Sequence, residues 1–209
     1  MQSSSPSKLS ALPTKPGQGQ LAEYRAAYER ADAFCKEVQA FVDQAGIPAI
    51  NELRYAGHHL LYALDDTGSI ADPHNLTKAH NHVQRACYEA GEAGILFALD
   101  RIRVFKEDYR KVSVAPVIPH YNSILEQAQS AKRKIVAARL QGTDRTSDHS
   151  ELIEIFRNLS AHCNSLELSR SEMNKVIDKE TRDLRRFIIG TTLSFAAIMA
   201  MALFAFWHS

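Results

Sequence analysis

Apolar residues recur along the chain at the three- and four-residue spacing of amphipathic helices, in five runs parted by turn-forming clusters. Phe34, Val38, Phe41 and Val42 mark a first helix over about 21–45, which Gly46 and Pro48 are expected to end. A second, over about 49–64, puts Ile50, Leu53, Gly57, Leu60, Leu61 and Leu64 on one face. The run DDTGSIADP, Asp65 to Pro73, is turn chemistry. Asp72 then reads as an N-cap with Pro73 at the first helical position. The third helix continues through Leu76, Ala79, Val83, Ala86, Ala90, Phe97 and Ile102 to about 111. Pro116 and Pro119 break it, because neither fits a helix interior. A fourth helix is expected over about 120–140. After a loop over 142–147, Asp148 with Glu151 forms a capping-box start to a fifth, running from 149 toward 183.

One segment departs from the amphipathic pattern. The 21 residues from Phe187 to Trp207 carry no charge and are apolar all round. As a helix they would extend about 31 Å, the thickness of a bilayer's hydrocarbon core. Arg182, Arg185 and Arg186 precede the segment, and only His208 and Ser209 follow it. Positive residues stay on the cytoplasmic side, so the expectation is a tail-anchored, single-pass membrane protein with a cytosolic N-terminal domain. Phe204, Phe206 and Trp207 would form an aromatic belt, and Gly190/Ser194 and Ala196/Ala200 would permit close helix contact. The predicted fold class is therefore all-α: a four- to five-helix bundle over 21–183, a transmembrane helix over 187–207, and a disordered Ser/Pro-rich leader over 1–20.

Composition narrows function mainly by exclusion. A net charge of +1 gives no global attraction for polyanions, so any RNA contact must come from a local patch. Cys35, Cys87 and Cys163 are widely spaced within apolar stretches, which reads as reduced, buried thiols rather than a disulfide framework or zinc site. No glycine-rich phosphate loop, nucleophile elbow or dinucleotide fingerprint is present, and no cofactor is implied.

Two sets of residues invite a chemical reading. The hexapeptide RNLSAH, Arg157 to His162, pairs a planar guanidinium suited to phosphate with an imidazole suited to proton transfer. Asn158, one turn from His162, is placed to fix the imidazole's tautomer. This arrangement resembles the signature of the HEPN superfamily, helical domains that include metal-independent endoribonucleases. The resemblance implies Arg157, Asn158 and His162 as catalytic residues, meeting a second copy across a homodimer interface. The plainer alternative makes His162 a packed seam histidine and Arg157 a solvated surface charge.

The second set lies where the second and third helices should run antiparallel. Arg54, His58 or His59, and His80, with Glu89 or Arg85, are expected to form a polar cluster between them. A metal reading of His58, His80 and His82 lacks the HxxxH or HExxH spacing that helices use, and no metal is expected. Three functions follow. The first is a membrane-anchored helical adaptor with the lipid bilayer and a protein as partners. The alternative is a membrane-tethered HEPN-like RNase or toxin-type effector acting on RNA as a dimer. The third is a sensor whose histidine seam responds to ligand or pH.

Overall fold

The computed structural model describes residues 18–141 and 149–207, with the side chains of 18, 141, 180, 193 and 195–207 outside the description. Five helices account for it: α1 (Gln18–Val42), α2 (Ile47–Ala63), α3 (Pro73–Asp108), α4 (Tyr121–Gln141) and α5 (Ser150–Trp207). The all-α expectation and the five helices hold. Asp148 and the leader as far as Gly17 lie outside the described residues.

The expectation of a single-pass, tail-anchored membrane protein with a cytosolic N-terminal domain is overturned. Among the described residues, no helix is long and apolar enough to cross a membrane. α5 is one continuous helix, but Lys179, Arg182, Asp183, Arg185 and Arg186 occupy the turns before Phe187. Thr191, Thr192 and Ser194 do donate their hydroxyls to the carbonyls of Phe187, Ile188 and Gly190 in the preceding turn.

The helix ends show which local rules operate. α1 stops at Val42, three residues early, because Asp43 takes the left-handed conformation at φ 56° and donates its N–H to the Gln39 carbonyl at 2.9 Å. A short acidic side chain tolerates that region, so the stop does not need Gly46. Pro48 sits in the first turn of α2 and starts that helix rather than ending the one before. The turn after α2 closes around Asp65, whose Oδ1 accepts from the N–H groups of Thr67 and Ser69, both at 2.9 Å. Gly68 there has φ 74°, a conformation only glycine adopts without strain. Asp72 caps α3 as expected: Oδ1 accepts from the N–H groups of His74 at 2.9 Å and Asn75 at 3.1 Å.

The chain divides into two compact units. The first comprises Met1–Phe97 and Arg133–Arg157. Its core is built on Tyr24, Ala31, Phe34 and Val38 of α1, Val83 and Ile95 of α3, and Phe156 of α5. Phe156 meets Phe34 edge-on at 5.7 Å and Phe41 at 5.5 Å. Gly94 makes that placement possible: a Cβ there would stand 2.6 Å from the Phe156 ring. The second unit comprises Ala98–Lys132 and Asn158–Ser209. Phe105, Leu159 and Met173 are fully buried in it, and Val114 and Ile118 fold in from the proline-containing segment. Arg170 lies over Phe105 at 5.4 Å and pairs with Asp108 at 2.7 Å. Hydrogen bonds to Asp108, and then to Glu167, hold its guanidinium well above the ordinary arginine range.

Candidate functional site

α2 distributes its apolar residues in an unusual way. The buried face holds Ala49, Leu53, Ala56 and Ala63, three of them no larger than a methyl group. The large side chains point outward instead: Ile47 is 59% exposed, Leu61 74% and Tyr62 65%, with Ile50 and Tyr55 also exposed. Ile47, Ile50, Arg54, His58 and Leu61 follow three- and four-residue steps, so they form one stripe along the helix. The expectation that Ile50, Leu53, Gly57, Leu60, Leu61 and Leu64 share one face is corrected accordingly. Leu53 faces in, while Ile50 and Leu61 face out. α2 packs closely on its neighbours through alanine, and the bulk it carries is left for another surface.

At the N-terminal end of this stripe the surface is concave. A groove of about 410 Å³ lies between Val38 and Val42 of α1, Ile47 and Ile50 of α2, and Leu96 of α3. Its rim carries the ion pair Glu92–Arg139 at 2.6 Å, in which Glu92 is almost buried and Arg139 half exposed. Cys35 lines the groove and donates its thiol to the Ala86 carbonyl at 3.8 Å. Burial pushes that thiol up to about 12, so it stays protonated and unreactive at neutral pH.

Beside the stripe runs the polar seam between α2 and α3. Two rings form its centre: His59 and His82 stack at 5.2 Å with planes 11° apart. His82 donates from Nδ1 to Glu52 Oε2 at 2.6 Å. Asn75 gives its Nδ2 hydrogens to Asp72 at 2.7 Å, which turns its Oδ1 toward His59 and makes His59 Nδ1 the donor at 2.9 Å. Both imidazoles thereby donate from Nδ1 to an acceptor on the opposite helix. The stack continues outward along α2. Tyr55 packs on His82 at 5.5 Å, Arg54 lies over Tyr55 at 5.2 Å, and His58 meets Tyr62 at 4.8 Å.

Of the seam expected from sequence, Arg54, His58 and His59 belong to this assembly. His80 does not: it accepts from Gln84 on its own helix at 3.4 Å. Glu89 lines the groove, and Arg85 is exposed on α3. Glu52, Tyr55, Asn75 and His82 complete the seam. The antiparallel register that sets Glu52 opposite His82 also sets His59 opposite Asn75, and Asp72 as the α3 start was the one sequence signal for that register. Among the described residues no group of three or more His, Cys, Asp or Glu side chains is placed to hold a metal ion. Parallel rings also suit shared packing better than ligation, since a metal must lie in the plane of each imidazole that binds it.

No family model, curated protein or solved structure matches the chain.

Arg157 and His162 are each held by a partner within their own unit. In the first unit, Arg157 directs its fork at Glu37, with Nε 3.0 Å from Oε1 and Nη2 2.8 Å from Oε2. That carboxylate takes the geometry a phosphate would use. In the second unit, His162 donates from Nε2 to Gln127 Oε1 at 3.0 Å, and Gln127 in turn donates to Ser123 at 3.2 Å. Burial holds the His162 imidazole below the ordinary histidine range, so it is neutral at pH 7. Asn158 is exposed.

Proposed function

We propose that this chain is a non-catalytic helical interaction protein that docks a partner on the outward face of α2. One observation carries the reading: the helix buries alanines and exposes Ile47, Ile50, Tyr55, Leu61 and Tyr62 on its outward face, with Arg54 and His58 between them. Single exposed apolar residues are ordinary, but a helical stripe of large ones beside an apolar groove is the form of a helix-docking surface. Arg54 on that stripe, and Tyr55 and Tyr62 beside it, are residue types enriched where binding energy concentrates. The RNase reading of Arg157 and His162 has weaker support, because Glu37 already occupies the guanidinium.

A photo-crosslinking residue at Leu61, compared with one at Leu140 of α4, tests the proposal in the full chain. Leu140 is 83% exposed and lies off the stripe, so it reports non-specific contact. The expected result is a discrete adduct at position 61, identified by peptide sequencing, absent at 140, and lost when Ile50→Glu is added. Equal labelling at both positions, or none at 61, would remove the basis of the reading.

A further inference from the structure

The two ends of α2 differ in form. Leu61 and Tyr62 stand out as a knob at one end, and the groove between Val42, Ile47, Ile50 and Leu96 opens at the other. We propose that the occupant of the docking face is a second copy of this chain, packed antiparallel along α2, with the knob of each copy in the groove of the other. This inference rests on the docking reading above. Leu61 lies eleven residues beyond Ile50, about 17 Å along the helix axis. A two-fold axis perpendicular to α2 near Arg54 brings both knobs over both grooves at once, which closes the assembly at a dimer.

The available area agrees. Ile47, Ile50, Tyr55, Leu61, Tyr62 and Leu96 together expose on the order of 700 Å². That is comparable with the ~800 Å² each partner brings to a standard interface. The only acid of α2, Glu52, is turned to His82, so no carboxylate of this helix serves the stripe. The symmetry places the two Arg54 side chains near one another at the axis, each over its own Tyr55 ring at 5.2 Å. That like-charged pair gives the proposal a sign. Arg54→Leu tightens the association of two copies, whereas it weakens the binding of a partner that offers Arg54 a carboxylate.

Sedimentation equilibrium of the full chain reads this directly, with folding monitored by circular dichroism. A dimer is expected whose dissociation constant rises at least tenfold in Leu61→Glu, rises similarly in Ile47→Lys at the groove end, falls in Arg54→Leu, and is unchanged in Leu140→Glu. Two variants at opposite ends of α2 guard against one of them misfolding. Association that survives both would overturn the proposal, as would weakening by Arg54→Leu. A monomer whose Leu61 photoadduct lies on a different protein would overturn the second copy while leaving the docking reading intact; a monomer with no adduct would overturn both.

Discussion

Replacing Gly94 by alanine tests the packing on which the first unit depends. In an open helix interior this change stabilises, because alanine has about 1 kcal/mol better helix propensity than glycine. At Gly94 the new Cβ would stand 2.6 Å and 2.7 Å from two atoms of the Phe156 ring and 3.0 Å from Val38 Cγ1. The ring has little room to yield: Phe156 is 1% exposed and held edge-on by Phe34 and Phe41. Overpacking costs about 1–3 kcal/mol, and a ring held this tightly puts the cost at the upper end, about 2–3 kcal/mol, so after the propensity gain a net loss of ~1–2 kcal/mol remains. With a urea m-value of about 2 kcal/mol/M, the middle of the usual range, the midpoint should fall by roughly 0.5–1 M. Gly57→Ala is the internal control. No atom lies within 4 Å of the Cβ it would add, so the midpoint should rise, by a gain of about 0.5–1 kcal/mol. Urea titrations followed by circular dichroism decide the matter. A Gly94→Ala variant as stable as the parent, or more so, would show that α3 and α5 do not approach as described.

Asp72 holds its carboxyl below the usual range, chiefly through the Asn75 backbone N–H, so its contribution is present above pH ~4 and lost as pH falls through the folded value. The stability difference between the parent and Asp72→Ala should therefore be full at pH 7 and shrink toward zero in acid, as read by urea titrations at each pH. His162 is shifted downward by burial, so the unfolded chain takes up its proton first and the residue's contribution fades as pH drops below ~6.5. His162→Gln should flatten that part of the stability profile, and ring-proton NMR should show His162 titrating below free histidine. Cys35 and Cys163 have thiols pushed up to about 12 and about 11 by burial, so iodoacetamide at pH 7.5 should label them slowly in the folded chain and quickly in urea.

The helices were legible because their apolar spacing and end signals are local. Asp72 with Pro73 predicted the start of α3, and its cap bonds form as expected. α1 ends before the glycine because Asp43 supplies the left-handed stop, which apolar spacing does not reveal. The orientation of α2 was not legible, because both of its faces are apolar. Periodicity shows that Ile50, Leu53 and Leu61 recur on a helix, but alanine at 49, 56 and 63 packs closer to neighbours and takes the inner face. The imidazole seam was half visible: His59 and Arg54 stood out by type, while Glu52 and Asn75 acquire meaning only through the pairing register of α2 with α3. Arg157 and His162 form a motif by spacing alone, and spacing carries no information about Glu37 or Gln127, which hold them. The apolar run after Arg186 suggested a membrane span by composition. Among the described residues no helix meets the length and apolarity that a span demands.

The most direct measurement of the central claim is a dilution series of methyl-labelled full-length chain by NMR. If the outward face of α2 is where a second copy docks, the methyl signals of Ile47, Ile50 and Leu61 should shift with concentration while that of Leu140 stays fixed. Concentration-independent signals from all four, or shifts that favour Leu140, would contradict the account.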